Sequence, residues 1–248
     1  MAVNADEGEP GTFKDRFCME TDPHRFLEGT LIAAWVVEAK ICYIYLRDEY
    51  PFINKILKDE IKKIEEEGLT KYCKLIIRRG AGAYICGEES AMLESIEGKR
   101  GYPRHKPPFP VQEGLFGRPT LCNNVETLFW IRDIIEKGSK WFASFGKNGG
   151  VGFRLYSVSG RVKNPGVKKA PAGITVNELI NDKTIGIVIN SPGNPCGSIL
   201  TKDDVKGITE IAEDHNLYVI SDELYSSIIF DNEKHFSPLN FVDNLDNV

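Results

Sequence analysis

The stretch Tyr72–Ser90, "YCKLIIRRGAGAYICGEES", decides how the larger part of this chain folds. Leu75, Ile76 and Ile77 form a short β-branched and apolar run, which predicts a strand. Gly80-Ala81-Gly82 interrupts it, and "EESAMLESIEG" then reads as a short helix. Strand, glycine-rich loop and helix in that order suit an open α/β sheet whose backbone approaches a ligand closely. The spacing is not the dinucleotide fingerprint G-x-G-x-x-G. Glu88 and Glu89 fit a ligand contact, and they equally fit a simple complement to the helix dipole.

Working outward, the same rhythm recurs on the N-terminal side. After an opening loop, Asp22-Pro23 predicts an N-cap followed by proline at the first helical position. Leu27, Leu31, Ala34 and Trp35 give that helix one apolar face. "ICYIYL" predicts a strand, and a second helix carries Phe52, Ile53, Ile56, Leu57, Ile61 and Ile64 inward before ending at Gly68. This alternation predicts a parallel α/β sheet. Residues 98–120 then hold five prolines and four glycines, an irregular segment long enough to suggest function. A helix is expected over "NNVETLFWIRDIIEKG", then "SKWFASFG", then a hairpin in "FRLYSVSGRVKNPGV" turned on Asn164-Pro165-Gly166. "TVNELI" opens another helix, and from "IGIVINS" an α/β pattern restarts, with "TKDDVKGITEIAEDHN" as helix and "LYVISD" and "YSSIIF" as strands.

Bulk properties exclude several classes. The 248 residues are 42% hydrophobic and 27% charged, with a formal net charge of -5. That balance describes a globular protein without a general attraction to nucleic acid or anionic lipid. "LIAAWVV" falls far short of the roughly 20 apolar residues of a membrane helix. "MAVNADEGEP" lacks the apolar core of a signal peptide, so a cytoplasmic or organelle-matrix location is expected. The six cysteines form no C-x-x-C pair and have no histidine at ligand spacing, so they are read as structural thiols with no metal site.

"NADEGEPGTFKDR" sets Asp6, Glu7 and Glu9 around Gly8. Ionised carboxylates accept hydrogen bonds only, which suits the N–H groups of a ring or the hydroxyls of a sugar; the alternative is a solvated acidic turn. Together with "RGAGAYICGEESAMLESIEGKRGYPRHKPPFP" and "GRPTLCNNVETL", this loop resembles the NADH- and FMN-binding flavoprotein subunit of respiratory complex I and related diaphorase subunits of hydrogenases and formate dehydrogenases. The likeness runs from about Val3 to about Ile180. It implies FMN contacts at Asn4, Asp6, Glu7, Tyr84, Gly87, Glu88, Glu89, Asn123, Asn124 and Thr127. It also implies NADH contacts at Glu9, Glu89, Lys106 and Phe109. The implied reaction is hydride transfer from nicotinamide to flavin, with no protein nucleophile, and the implied partners are other complex I-type or diaphorase subunits. The family carries a phosphate-cradling loop upstream of the acidic loop and iron–sulfur cysteines downstream of this region. The chain shows neither, so an impaired flavin site and no iron–sulfur cluster are expected. "YSVSGRVKNPGVKKAPAGITVNELI" resembles the opening of that family's β-grasp domain.

"INSPGNPCGS" followed by "VISDELYSSIIF" resembles class I/II, fold-type I aminotransferases that use pyridoxal phosphate, over about Asn181 to Phe241. The likeness implies Asn194 and Tyr225 at the cofactor's phenolic oxygen and Asp222 at its pyridine nitrogen. Cys196 stands where that family usually has threonine. The family's Schiff-base lysine motif does not occur, so transamination is not expected. The fold expected is α/β in three pieces: an incomplete Rossmann-like FMN/NADH-binding domain over 1–150, the start of a β-grasp domain over 151–180, and an aminotransferase-like segment over 181–248. The join falls within "TVNELINDKTIGIVINSPGNPCGS".

Overall fold

The computed structural model describes residues 1–159, 165–175, 186–193, 198–229 and 233–242. They fall into two compact units, Met1–Val158 with Gly166–Gly173, and Ser159–Pro165 with Ile174–Val248.

The first unit is built on a parallel sheet of β1 (Ala2–Ala5), β2 (Ile41–Leu46), β3 (Lys74–Arg79) and β4 (Cys122–Asn124), in the order β3-β2-β1-β4. Side chains alternate across a strand, so each strand serves two faces. Val3, Ala5, Cys42, Ile44 and Leu46 enter one apolar core. Ala2, Tyr43, Tyr45 and Cys122 enter a second. The first core is closed by α1 (Lys14–Thr21), α2 (Pro23–Val36), α3 (Pro51–Glu66) and α5 (Val125–Phe129). The second is closed by α4 (Glu89–Ile96), through Met92, Leu93 and Ile96. Burial on both faces explains why "ICYIYL" is apolar throughout rather than alternating.

Several expectations change in the structure. The opening residues form β1, which lies inside the sheet between β2 and β4, not in a loop. α1 has no sequence signature because only Asp15, Cys18 and Met19 of its eight residues are buried. On α2 the inward face is Phe26, Leu27, Gly29, Thr30, Ala33 and Ala34, and Trp35 is 65% exposed. Small residues at Gly29 and Ala33 let α2 approach α5, which rotates the helix relative to the purely apolar stripe. Phe52 is likewise 62% exposed at the start of α3, whereas Ile53, Leu57, Ile61 and Ile64 are buried as expected. The single helix expected from Asn123 is instead β4 followed by α5 and α6 (Ile131–Lys137), divided at Trp130. Asn123 pairs with Val3 in the sheet, and the Asn124 side chain caps α5 by accepting from Glu126 N.

Trp130, Phe142 of α7 (Ser139–Ala143), Phe145 and Phe153 form an aromatic cluster, with Phe145 stacked on Phe153 at 4.1 Å. β5 (Phe153–Val158) and β6 (Gly166–Pro171) pair antiparallel, as the expected hairpin requires; Asn164 at its turn lies outside the described residues. Arg104 organises the proline-rich segment: its guanidinium donates to Glu94 Oε1 at 2.6 Å, Glu97 Oε1 at 2.8 Å and the Gly114 carbonyl at 2.9 Å. Its own backbone N–H donates to Ser90 Oγ at 2.9 Å. Removing the side chain takes three charge-assisted hydrogen bonds from partly buried acceptors, although Glu97 keeps Lys99 and Phe116 N. Arg104→Ala is therefore expected to cost about 2–4 kcal/mol, read as a lowered urea midpoint.

In the second unit, β7 (Gly186–Asn190) and β8 (Tyr218–Asp222) pair in parallel around α8 (Lys202–Asp214). Thr201 and Asp204 form a capping box on α8. Ile187, Ile189, Ala212, Leu217 and Val219 make its core. The opposite sheet face leaves Val188 and Ile220 71% and 61% exposed. "YSSIIF" is not a strand in its described part: Leu224–Ser227 turn, with Ser226 N donating to Glu223 O and Ile228 N to Tyr225 O. Those bonds occupy the donors a strand would need. Residues 176–180 of the expected "TVNELI" helix lie outside the described residues. No helix among the described residues is long and apolar enough to cross a membrane.

Candidate functional site

The chain builds β1, β2 and β3 in one direction across the sheet, then crosses back to place β4 on the far side of β1. Such a reversal opens a crevice at the carboxyl ends of the strands, the usual ligand position in open α/β sheets. Four segments meet that edge: the acidic loop after β1, the Arg47–Tyr50 turn after β2, the glycine-rich loop after β3, and the end of β4.

Hydrogen bonds tie these segments together. Asn4, on the face shared with Ala2, donates through Nδ2 to the Gly87 carbonyl at 2.7 Å, while its Oδ1 accepts from Asp6 N at 3.1 Å. A Cβ on Gly87 would sit 3.3 Å from the Asp6 carbonyl, so this close approach suits glycine. Tyr84 packs beside Gly8 and its hydroxyl donates to Glu9 Oε1 at 2.7 Å. Tyr45 steadies the glycine-rich loop from within the core; its hydroxyl accepts from Ala81 N at 2.9 Å and donates to Ser95 Oγ at 2.8 Å.

The three acidic side chains have different surroundings. Glu7 is buried and faces α1, where its two oxygens accept from Asp15 N at 2.9 Å and Arg16 N at 3.1 Å. It therefore caps a helix whose own N-cap, Phe13, offers no side-chain acceptor. Burial, then the Asp15 charge, pushes its carboxyl upward. Asp6 Oδ2 is buried and has no hydrogen-bond partner in the structure. Burial raises the Asp6 carboxyl to about 6, with Arg47 opposing that rise and Glu49 adding to it. Glu9 is exposed and engaged by Tyr84.

Glu88 caps α4, accepting from Ser90 N at 2.8 Å and Ala91 N at 3.0 Å. Lys106 bridges Glu88 at 3.0 Å and Glu89 at 2.6 Å. Burial works against the Glu88 charge, but Ser90, Ala91 N and Lys106 outweigh it and hold the carboxyl low. The Cys122 thiol of β4 is pushed up to about 11, by burial first and then by Glu89. Asn123 makes no side-chain hydrogen bond among the described residues. Asn124 donates through Nδ2 to Asp15 Oδ2 at 2.7 Å. Thr127 lies on the exposed side of α5 and Phe109 is 49% exposed in the proline-rich segment; no hydrogen bond or ring contact ties either to the other predicted residues.

The structure thus joins Asn4, Asp6, Glu9, Tyr84 and Gly87 in one cluster and Glu88, Glu89 and Lys106 in a second, with Asn123 and Asn124 at the crevice between β1 and β4. Sequence reasoning misses Lys14, whose Nζ reaches Asp15 at 2.7 Å, Asn124 at 3.1 Å and Glu126 at 3.4 Å. Burial disfavours its charge, but these carboxylates outweigh that and raise the lysine. It also misses Arg47 and Tyr50 behind the acidic loop. A lysine next to an aspartate in "FKDR" was the available signal, and nothing in one dimension distinguishes it from a surface pair.

In the second unit, Asp222 sits at the end of β8 opposite Asn190; its Oδ2 accepts from Asn190 Nδ2 at 2.8 Å and its Oδ1 from Leu224 N at 3.2 Å. Tyr225 lies in the following turn, and Asn194 lies outside the described residues.

Comparison with known proteins follows the same division. Residues 1–133 match the Nuo51 FMN-binding domain family, and residues 162–248 match the class I and II aminotransferase family. The chain is 46% identical over 194 residues to an NADH-quinone oxidoreductase subunit of Rhizobium meliloti (strain 1021), covering 75% of this chain and 46% of that protein. It is 46% identical over 207 residues to NADH dehydrogenase [ubiquinone] flavoprotein 1, mitochondrial, of Dictyostelium discoideum, covering 80% of this chain and 43% of that one. The crystal structure of an NAD+-reducing [NiFe]-hydrogenase in the H2-reduced state superposes with a TM-score of 0.68 and 42% identity, over 72% of this chain and 31% of that chain. The chain spans a little under half the length of these curated relatives. It belongs to the Nuo51 FMN-binding domain family, and carries a C-terminal segment related to the class I and II aminotransferases.

Proposed function

We propose that the first unit holds FMN in the crevice between β1 and β4 and presents it to NADH in the manner of a complex I-type flavoprotein. The observation that carries this reading is Asp6 Oδ2, a buried acceptor without a partner at the end of β1. A buried carboxylate is costly unless a donor meets it, and a flavin ring supplies an N–H of the right kind. Around it, the Asn123 amide makes no side-chain hydrogen bond among the described residues, Asn4 and Asn124 hold the strand ends through Gly87 and Asp15, and Gly87 gives close backbone approach.

In this reading Asp6 and Asn4 orient the ring, while Glu7 acts indirectly by holding the loop on α1. Tyr84 would contact the flavin, and Glu9, Glu89, Lys106 and Phe109 would hold NADH. Lys106 faces the pyrophosphate and Phe109 offers an aromatic face for adenine. Bound flavin supplies the hydride acceptor; the chain's own residues position the two rings and exclude water. No side chain is required as nucleophile or proton donor.

The division proposed along the chain is a flavin domain over 1–150, the start of a β-grasp domain over 151–180 and an aminotransferase-like segment over 181–248; the compact units differ from it, since β5 and β6 cluster with the first unit. Partners are NADH and other complex I-type or diaphorase subunits, at the cytoplasmic or matrix face of a membrane. Asp222 already uses both oxygens within the protein, so no observation favours pyridoxal phosphate chemistry.

The test is titration of FMN into the purified chain, followed by flavin fluorescence, with an Asp6→Ala/Glu89→Ala double variant as control. Saturable micromolar binding lost in the variant is expected, followed by bleaching of the flavin on anaerobic addition of NADH. A folded chain that leaves flavin fluorescence unchanged would rule the reading out.

A further inference from the structure

The turn after β2 lies directly behind the acidic loop; two of its side chains bond to that loop and a third bonds to one of these two. Arg47 donates through Nη1 to the Glu7 carbonyl. Tyr50 donates its hydroxyl to Glu7 Oε2 at 3.2 Å. Glu49 accepts from Arg47 Nε at 3.1 Å. The backbone locks the same turn in place, since Arg47 N donates to the Ala5 carbonyl at 3.1 Å and Tyr50 N to the Arg47 carbonyl at 3.1 Å. Arg47 also lies over the Tyr50 ring, 5.6 Å from its centroid. The arginine is thus held from three sides, so its charge has a defined position relative to Asp6.

We infer that Arg47 is a positioning residue of the flavin pocket, which fixes the acidic loop through the Glu7 carbonyl and so sets a positive charge behind Asp6, the residue next to that carbonyl. The inference rests on the flavin reading of the site. The charges that act on Asp6 come from this one turn: Arg47 favours the ionised carboxylate and Glu49 opposes it. The other segments against Asp6 contribute uncharged groups, the Asn4 side chain and the Gly87 backbone. Glu7 has its carboxylate turned toward α1. Burial is the largest influence on the Asp6 carboxyl, and Arg47 and Glu49 act on it in opposite directions.

The sign follows from the chemistry. Only the ionised carboxylate accepts from a ring N–H, so flavin affinity falls as pH drops through the Asp6 midpoint near 6. Between about pH 7 and about pH 5 this amounts to roughly a tenfold loss. Arg47→Gln removes the favourable charge and raises the midpoint by about 1 pH unit. Glu49→Gln removes the opposing charge and lowers it by a smaller amount. Arg47→Lys keeps the charge and restores the midpoint, even where the bond to the Glu7 carbonyl is weaker.

The experiment is a riboflavin titration of the full chain at a series of pH values, because riboflavin shares the ring of FMN without its titrating phosphate. The Asp6 carboxyl is followed in parallel by 13C NMR in the flavin-free chain, and circular dichroism establishes that each variant is folded. Opposite midpoint shifts for Arg47→Gln and Glu49→Gln, with Arg47→Lys near the parent, are expected by both methods. Uniform weakening by Arg47→Gln with an unmoved midpoint overturns the inference and leaves a purely structural arginine. Riboflavin binding with shifts in one direction for both neutral variants overturns it too. If Asp6 titrates as described but riboflavin never binds, the flavin reading itself fails and this inference falls with it.

Discussion

Asp6→Asn is expected to weaken FMN binding by about ten- to a hundredfold while raising the thermal stability of the flavin-free chain at neutral pH. The two effects have one cause. Asp6 Oδ2 is buried without a donor, and burial lifts its carboxyl from an ordinary value of 3.8 to about 6. An acid whose folded value lies above its unfolded one favours folding while protonated, and that advantage disappears as pH rises through about 6. At pH 7 the ionised group therefore costs stability, about 1–2 kcal/mol once partial solvent screening is allowed for. Asparagine removes the charge and the cost, raising the melting temperature by several degrees. It also removes the charged acceptor on which ring recognition depends. Differential scanning fluorimetry at pH 7 and pH 4 checks the sign, since the stabilisation should vanish at the lower pH. A variant that loses both stability and binding at pH 7 would show that Asp6 holds the loop and does not await a ligand.

Gly29→Ala should disrupt the first unit, with a loss of about 4 kcal/mol or more. A Cβ at this position would lie 2.0 Å from the Leu128 carbonyl oxygen and 3.0 Å from its carbon. Both are backbone atoms of α5, so no rotamer change relieves the clash and the helices must separate. Separation opens the core formed by Phe26, Leu27, Val125, Leu128 and Phe129. It also moves Asn124 and Glu126, which place the end of β4 and hold β5 through Glu126 Oε1 and Leu155 N at 2.9 Å. Flavin binding should disappear with the fold. Gly207, in the middle of α8 with nothing within 4 Å of its added Cβ, is the control. There alanine should stabilise the second unit by about 0.5–1 kcal/mol, because only the helix propensity changes. Urea unfolding of both variants decides between them.

Much of this architecture was legible in one dimension because it rests on local periodicity. The runs "ICYIYL" and "KLIIRR", the Asp22-Pro23 helix start and the inward face of α3 follow from residue type and spacing. That two different α/β patterns follow one another was legible because each half carries its own ordered motifs, and residues 1–133 and 162–248 match different families. β1 was not, because "AVNA" is four residues long and becomes a strand only through β2 and β4 on either side. α1 was hidden for a related reason: it is mostly polar, and its start is fixed by Glu7, eight residues before Asp15.

The sequence by itself determined the residue types of the site, acceptors in the acidic loop and glycines where backbones meet. Tertiary structure alone decided their roles. Three neighbouring carboxylates that look equivalent in "DEGE" separate into a buried acceptor without a partner, a helix cap and a surface group bonded to Tyr84. That division depends on which partner arrives from β2, α1 or the glycine-rich loop. Contacts of that kind join residues tens of positions apart, and burial, which sets the charge and the free valence of each oxygen, exists only once the sheet has formed.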